Sequence, residues 1–381
     1  MKKCARERKA GVDRCRRAGG RVQTEKILLK KIIAARALRL DARGKERGIE
    51  LMRTSFSIRR LVKKEAALVG DLFRVVYGEE YPAVYVYRPE ELWAENERGN
   101  TYSLLAFNEE HEPIAHLAMF RSAPNPKVYE LGQLLVLPQH RGSGISDCLT
   151  QYATEELDKN AGIAAIFVES VCNHAVSQKL VAKRGYVDTA LEMDLMPAEA
   201  YQQAQGGAGR VACILQFKEK ANAAQRIYLP SCYERELAFC YMGLSPREMR
   251  IAVDVLPREG ETRGQEKIFD FAGVARITIE NIGADFAVYV SALEKLAQAK
   301  GIQAMQVYLP LSEPANGGAV ALLQKHGFFL GGVLPRWFDG DGLLMQKVWN
   351  TCPNFAAVQL YTDRAKKILD LVKTDWERWK H

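Results

Sequence analysis

The sequence lacks the features that mark membrane, secreted and metal-dependent proteins. No apolar run approaches the roughly 18 residues that cross a bilayer. The chain begins with many Lys and Arg but has no apolar core of the kind found in a secretion signal. No Cys-x-x-Cys pair occurs, and no His lies at zinc-site spacing from a Cys. We therefore predict a cytoplasmic protein with no transmembrane segment, no metal, and free, mostly buried thiols.

Neither disorder nor a fibrous structure is compatible with the composition. Apolar residues make up 48% of the 381 residues and charged residues 26%, which is average for globular proteins. At about 100 to 200 residues per domain, this length has room for two domains.

The basic charge is confined to the beginning of the chain. Residues 1–51 hold 17 Lys and Arg against 6 Asp and Glu. Subtracting these from the chain totals of 54 and 46 leaves 37 basic and 40 acidic residues, so the rest of the chain is slightly acidic. Proteins that bind phosphate backbones need a net positive surface. We therefore expect no nucleic-acid partner for the folded body.

Residues 1–51 are open to two interpretations. Apolar residues recur at helical spacing among Lys and Arg from Ile27 to Arg39, a pattern typical of a basic helix at a membrane or RNA surface. Alternatively, Lys45–Gly48 can be encoded by a purine-rich run shortly before Met52, as a bacterial ribosome-binding site would be. We favour a start at Met52, with residues 1–51 either not translated or disordered.

Residues 52–200 alternate between strand-like and helix-like patterns. Strands are predicted where β-patterned apolar runs end at turn residues, and helices where apolar residues recur every three or four positions. The order β-α-β-β-β-α-β-α-β indicates an α/β domain with a mixed (α+β) sheet. The predicted strands are 56–61, 102–107, 114–121, 128–137, 164–170 and 186–195, and the helices begin near 64, 145 and 176.

A second domain is predicted over residues 211–349, after a flexible linker at 201–210 that is rich in Gly and Gln. Strands are expected near 211–217, 226–229, 250–256, 274–280, 303–309 and 328–334, with a polar loop at 258–266. Residues 350–381 have the periodicity of an amphipathic helix that docks on a domain.

The second domain contains a copy of a pattern in the first. A helix, a Gly, a strand, a helix and a Gly-aromatic pair occur in this order in both, with Gly162 and Tyr186 in the first and Gly301 and Phe328 in the second. An internal duplication explains this with the fewest assumptions. The alternative is that these are two ordinary α/β segments with similarly placed glycines.

The most informative segment runs from Val136 to Ser146, where a strand passes through a Gly-containing loop into a helix. Gly142 and Gly144 allow backbone N–H groups to converge on an anion, and the helix N-terminus adds its dipole. The segment lacks the Gly-Lys-Ser/Thr of a P-loop and the three glycines of a dinucleotide fingerprint. It is therefore interpreted as a phosphate cradle of another kind, with an ordinary strand-to-helix turn as the alternative.

Gln139, Gly142 and Gly144 form a Q-x-x-G-x-G arrangement after a strand ending in Val-Leu-Pro. This arrangement resembles the pyrophosphate-binding motif of the GNAT acyltransferases, and the resemblance extends over roughly residues 55–196. It implies acetyl-CoA as co-substrate, an amine acceptor, and direct attack within a ternary complex. The second domain lacks the motif before its helix near Asp285 and resembles a degenerate GNAT copy.

The resemblance also implies which residues bind the cofactor. The strand residues Leu135, Val136 and Leu137 would bind the pantetheine arm, and Asn173 would bind the far end of the cofactor. The pyrophosphate would be bound by the loop residues Gln139, His140, Arg141, Gly142, Ser143, Gly144, Ile145 and Ser146.

The acceptor ammonium must lose a proton, and two acids are candidates for the base. Glu130 lies on the strand that leads to the loop and shares a face with Val136, and Glu169 lies near the end of the next strand. A solvated or ion-paired acid is the alternative for each. Val181 occupies the position at which many GNAT enzymes place a Tyr acid. A non-catalytic acyl-CoA sensor is therefore the second hypothesis, beside a transferase.

Other groups beside the cofactor position are given structural roles. His140 and His174 are expected to pack on the nucleotide rather than shuttle protons, and Cys172 is expected to be a small buried residue rather than a nucleophile.

Replacing a loop glycine tests the cradle directly. Gly142→Glu or Gly144→Glu is expected to abolish CoA binding, because a carboxylate would stand against the pyrophosphate. Calorimetric titration with CoA measures the loss, and circular dichroism checks that the variant remains folded. An unchanged affinity would refute the loop assignment.

Overall fold

The computed structural model describes residues 56–79, 81–197, 209–220, 224–349 and 352–379. The basic leader and the proposed start at Met52 lie outside the described residues, as does nearly all of the 201–210 linker. The described residues divide into two compact units. Unit 1 comprises those up to Ala118 together with Gln133–Leu149, and unit 2 comprises Met119–Gly132 and Thr150 onward.

Unit 1 contains the first two strands, most of the third and the end of the fourth. The strands β1 (Ser57–Arg60) and β2 (Thr101–Phe107) pair antiparallel. Helix α1 (Ala66–Tyr77) buries Leu68, Leu72 and Phe73 against a core that includes Leu105 and Leu135. These apolar residues at helical spacing give α1 its single buried stripe. The other elements of this region are α2 (Pro89–Glu97), β3 (Pro113–Phe120), β4 (Val128–Val136) and the start of α3 (Ile145–Lys159).

Unit 2 contains β5 (Ala165–Val171), α4 (Val176–Ala182), β6 (Val187–Pro197) and β7 (Arg210–Glu219). The first residues of β4, Val128–Glu130, pair in parallel with β5. Strand β7 lies between β5 and β6 and is antiparallel to both. We call the arrangement β4-β5-β7-β6 motif A.

The remainder of unit 2 begins with β8 (Gln225–Leu229), α5 (Glu234–Tyr241) and β9 (Arg247–Ile251), where β8 and β9 form a separate parallel pair. The strands β10 (Arg263–Phe269), β11 (Val274–Asn281), β12 (Ala304–Pro310), β13 (Phe329–Leu334) and β14 (Gly342–Val348) follow. The helices α6 (Phe286–Lys300) and α7 (Asn316–Lys325) flank β12 in the sequence, and α8 (Asp363–Trp379) ends the described chain.

Strands β11-β12-β14-β13, which we call motif B, repeat the connectivity of motif A. Strands β11 and β12 are parallel, and β14 lies between β12 and β13, antiparallel to both. The registers agree as well. Val128 faces Ala165 in motif A as Val274 faces Ala304 in motif B, and Val187 faces Phe217 as Phe329 faces Gln346. In this alignment Tyr186 is equivalent to Phe328.

The two motifs meet at residues that are equivalent in this alignment. Strand β6 contacts β13 at Ala190 and Gly332, each three positions after the equivalent residues Val187 and Phe329. Such a contact of like with like is the geometry of a two-fold interface. Beside it, Trp337 packs on Phe167 and Tyr308 with ring centroids 5.2 and 5.1 Å apart, so its role is packing between the motifs.

Three predicted elements differ from the structure. The strand at 211–217 was assigned to the second domain, but β7 pairs with β5 and β6 and completes motif A. The predicted loop at 258–266 is partly β10, an edge strand whose one-sided pairing tolerates exposed polar side chains. The predicted strand at 250–256 ends at Ile251, because the Val253 amide donates to Pro314 O instead of a strand.

The C-terminal helix α8 docks by both apolar and polar contacts. Ala365, Ile368 and Val372 are buried, while Asp375 accepts hydrogen bonds from the Tyr233 hydroxyl and the Leu330 amide. None of the described helices has the length and apolar character needed to cross a bilayer.

The contact between the motifs requires a glycine at position 332. A Cβ there would lie 2.3 Å from Thr189 O and 2.6 Å from Ala190 Cα, and φ is +133°. We expect Gly332→Ala to lower the free energy of unfolding by about 3 kcal/mol or more, since the steric conflict adds to the backbone strain. Urea unfolding followed by circular dichroism measures this change.

Gly301→Ala is the matched control, because its φ is +63° but a Cβ there would meet nothing within 4 Å. It should cost only the backbone strain, about 1 to 2 kcal/mol. Equal losses in the two variants would show that the β6–β13 contact does not depend on close approach.

Candidate active site

The loop after β4 has the form of an open backbone nest. One 3-10 turn spans Pro138–His140, and the left-handed φ values of Gly142 (+81°) and Gly144 (+84°) reverse the chain before α3 begins at Ile145. The turn is held by the His140 amide, which donates to Leu137 O at 2.9 Å, and by the Ser143 hydroxyl, which donates to His140 O at 2.6 Å. Alternating glycines of this kind leave room for an anion above the backbone.

The amides of this nest are available to a ligand. Within the described part of the chain, the N–H groups of Gly142, Ser143, Gly144 and Ile145 have no hydrogen-bond partner, and residues 141–144 are exposed. The first helical bond begins only at Cys148, whose amide donates to Gly144 O. Unpaired N–H groups at the start of a 15-residue helix are a favourable site for an oxyanion.

The turn before α6, at the corresponding point of motif B, does not form such a nest. The Gly283 amide donates to Thr262 Oγ1, the Ala284 amide donates to Gly260 O, and Asp285 Oδ1 accepts from the Thr262 amide. A Cβ on Gly283 would lie 2.4 Å from the 261–262 backbone. The loop before β10 therefore occupies the space that the loop after β4 leaves open.

Strand β4 contains a backbone irregularity in unit 1. Gln133 has φ +55°, a left-handed conformation that is unusual for a non-Gly residue and takes peptide groups out of a regular ladder. Its carbonyl accepts from Nδ1 of His116 at 3.0 Å, and its side-chain amide donates to the Tyr85 hydroxyl. Burial lowers the pKa of His116 to about 4, so the imidazole is neutral and Nε2 is a buried acceptor without a partner.

In unit 2, the two candidate bases belong to one cluster of charged groups. Nη2 of Arg276 donates to Glu169 Oε1 at 2.7 Å and to Glu192 Oε2 at 3.1 Å, and the Tyr308 hydroxyl donates to Glu192 Oε1 at 3.0 Å. Glu130, the last residue of β4 that pairs with β5, is close enough for its charge to interact with Glu169 and Arg276.

The two candidate bases differ in their electrostatic surroundings. Desolvation and the neighbouring Glu169 raise the pKa of Glu130 to about 8, and desolvation also raises the pKa of the fully buried Glu192. Glu169 is held directly by the Arg276 guanidinium at 2.7 Å. Among the described residues Glu130 takes part in no ion pair, and its raised pKa makes it a proton acceptor near pH 8.

Motif B contributes the counter-charge to the acids of motif A. In the alignment of the two motifs, Arg276 is equivalent to Glu130 and Tyr308 is equivalent to Glu169. Two identical copies would bring further carboxylates together, whereas the cation and the phenol of motif B neutralise and hydrogen-bond the acids. The side-chain amide of Gln306, two residues before Tyr308 on β12, is buried. Among the described residues, neither its nitrogen nor its oxygen has a hydrogen-bond partner.

The remaining predicted residues are placed as follows. In the part of the chain that the structure describes, neither buried amide atom of the Asn173 side chain, after β5 in unit 2, has a hydrogen-bond partner. Cys172 is buried and its pKa is raised to about 12, mainly by desolvation, which makes it a neutral thiol and not a nucleophile. Val181 is buried on α4. Its side chain carries no proton that it could donate.

Sequence reasoning missed His116, Gln133, Glu192, Arg276 and Tyr308. A buried His in an apolar strand could have been noticed in the Ile114–Phe120 run, where it is the polar exception. The Arg276 and Tyr308 positions carry no local signal and could only be found by aligning the two motifs in register.

The Cα trace resembles parts of several solved structures. The ribosomal-protein-S5-alanine acetyltransferase from Vibrio fischeri is 13% identical, with a TM-score of 0.37 over 45% of this chain and 97% of that chain. The spermidine N-acetyltransferase from Vibrio cholerae, in complex with CoA and spermine, is 13% identical, with a TM-score of 0.35 over 44% of this chain and 96% of that chain. A search of the curated proteins finds no match.

A family model provides the more specific comparison. Residues 68–186 match the model described as the acetyltransferase (GNAT) family. The matched segment begins in α1, contains β2 to β5 with the loop after β4, and ends at Tyr186 after α4. This chain therefore carries an acyltransferase domain of the GNAT family over residues 68–186.

Proposed function

We propose that the protein is a cytoplasmic N-acetyltransferase that moves an acetyl group from acetyl-CoA to a primary amine by direct attack in a ternary complex. The amine nitrogen forms a bond to the thioester carbonyl carbon, the C–S bond breaks, and CoA leaves as its thiolate. The proton lost by the ammonium group goes to a carboxylate of the protein.

The observation that carries this proposal is the set of unpaired amides at Gly142, Ser143, Gly144 and Ile145. They provide several N–H donors and a helix N-terminus for a diphosphate, as the cofactor requires. Leu135, Val136 and Leu137, at and directly after the end of β4, precede the nest and would bind the pantetheine arm. Acetyl-CoA, when bound, supplies the activated acyl group.

We assign the base to Glu130 and a positioning role to Arg276. Desolvation raises the pKa of Glu130 to about 8, which suits a base that works at neutral to alkaline pH. Arg276 holds Glu169 and Glu192 in place through two ion pairs, and the nearby Glu169 adds to the effect of burial in raising the pKa of Glu130.

The leaving group is expected to depart without a protein acid at position 181. Val181 cannot donate a proton, and the phenol of Tyr186 is buried beside Thr154. The thiolate can leave unprotonated and take its proton from water, because thiols are far more acidic than alcohols.

We further propose that motif B belongs to a degenerate GNAT-like domain that has lost its cofactor site. Its strand order and register support this view, as does the filled turn before α6. On this proposal its role is to complete the charged cluster through Arg276 and Tyr308.

Acetyl-CoA and a panel of primary amines test the proposed reaction. Thiol release that depends on the amine, with an acetylated product found by mass spectrometry, is the expected result. CoA binding without thiol release from any amine would favour the acyl-CoA sensor that Val181 also suggests. Absence of CoA binding would overturn both.

A Glu130→Gln substitution tests the base. Because the base must be deprotonated, the wild-type kcat is expected to rise with pH through about 8. The variant should lose about 100-fold or more in kcat, together with this rise, while CoA affinity stays unchanged. Glu155→Gln, on the exposed part of α3, is the matched control and should keep the wild-type profile.

The Glu130→Gln substitution is also expected to change how the free energy of unfolding depends on pH. The folded pKa of Glu130 is raised above its ordinary value near 4.5, so the folded state binds more protons between these values. The wild-type free energy of unfolding should therefore fall as pH rises from about 4.5 to 8. Glu130→Gln should flatten this decline in denaturant titrations, and an unchanged slope would show that Glu130 is not the desolvated group.

A further inference from the structure

A second candidate ligand site lies in unit 2, among residues that the acetyl-transfer proposal does not use. A cavity of about 260 Å³ is lined by residues preceding β4 and β5, by the end of β7 and by the β13–β14 hairpin. Its lining contains three cations and one acid: Lys127, Lys220, Arg336 and Asp339. The net charge of the lining is therefore +2.

Arg336 is held in this cavity in an unusual state. Its side chain exposes only 8% of its surface, and its Nη2 is buried without a hydrogen-bond partner. Among the described residues, the ion pair of its guanidinium is the 3.4 Å approach of Nε to Glu219 Oε2, and that carboxylate is held more closely by Arg247 at 2.8 Å. A buried guanidinium with an unmatched N–H group is costly unless an anion completes its contacts.

The backbone around Arg336 is fixed before any ligand arrives. Arg336 has φ +60°, a strained conformation for a residue with a side chain. The amide of Asn125 donates to Trp337 O, and its side chain donates to Arg336 O at 2.9 Å and Phe338 O at 2.8 Å. The Arg336 amide donates to Asp341 Oδ1. These bonds tie the β3–β4 loop to the β13–β14 hairpin and keep Arg336 in place.

The two lysines of the cavity are held differently. Nζ of Lys220 donates to Asn160 O at 2.6 Å, which fixes its charge at the cavity wall. Lys127 is exposed, and its backbone amide donates to Asn125 Oδ1, so the loop that holds Arg336 also positions Lys127. A fixed guanidinium and two ammonium groups are the donors that proteins use for multivalent oxyanions.

We propose that this cavity binds a small anion carrying a phosphate or carboxylate group, at a site separate from the loop at residues 139–146. The volume suits a small metabolite rather than a whole dinucleotide. The anion would pair with the guanidinium of Arg336, which lines the cavity, and neutralise the excess charge. Binding would also stabilise the contact between the β3–β4 loop and the β13–β14 hairpin.

Calorimetric titration at constant ionic strength tests the site, with inorganic phosphate and glutarate as the two probes. Because the loop at residues 139–146 is also expected to bind phosphate, the titration uses the full chain carrying Gly142→Glu. We expect one saturable site for at least one probe and a higher melting temperature in its presence. The probe that binds more tightly identifies the phosphate or the carboxylate as the preferred group.

Two further substitutions in that background locate the site. Lys127→Gln and Arg336→Gln should each weaken binding about tenfold or more. Lys127 is exposed, so its variant is expected to fold even if the Arg336 variant does not. Arg226→Gln removes an exposed cation that is paired with Glu248 and should leave binding within about twofold.

Three results would overturn the proposal. Equal affinities in the three variants would mean an adventitious ion only. Absence of saturable binding of both probes would exclude the site. Phosphate binding that appears in the wild type but disappears in Gly142→Glu would assign it to the loop at residues 139–146. None of these results depends on whether the protein transfers acetyl groups.

Discussion

The charge balance around Arg276 is the constraint on which the arrangement of unit 2 depends. Glu130, Glu169 and Glu192 lie close together with little access to water, and burying three carboxylates without a counter-charge is prohibitive. One guanidinium from β11 pairs with two of them, Glu169 and Glu192, while burial and the neighbouring Glu169 raise the pKa of the third. Motif A is therefore not electrostatically complete by itself. Breaking such a buried pair on one side typically costs about 3 to 5 kcal/mol.

The relation between the two motifs explains how this complement arises. Equivalent residues Ala190 and Gly332 face each other, so the motifs meet as two copies would in a two-fold dimer. In such an arrangement positions near the axis lie close to their equivalents in the other motif. A basic residue at 276 and a phenol at 308 convert a repulsive set of acids into a paired one. The turn before α6 is filled where the loop after β4 is open, so the motifs share a strand arrangement but differ in the groups they carry.

The sequence was a good guide where local chemistry decides the outcome. Gly142 and Gly144 permit left-handed backbone whatever surrounds them, and the loop between β4 and α3 has the form predicted for it. Two further features depend on neighbours in the chain and were recognised from the sequence. They are the helical and strand periods of motif A and the Gly-aromatic pairs at Tyr186 and Phe328. Strand β7 was assigned to the wrong domain because strand order in a sheet is a non-local choice that periodicity does not encode.

The sequence by itself determined the nest-forming loop, the alternation of strands and helices, and the duplicated pattern, because each follows from residues a few positions apart. Only the tertiary structure decided that the pKa of Glu130 is raised, because this depends on burial and on Glu169, which lies on the neighbouring strand. It also placed Arg336 in a cavity with two lysines from distant segments. Electrostatic interactions depend on distance in space and on burial, and neither is a property of the chain order.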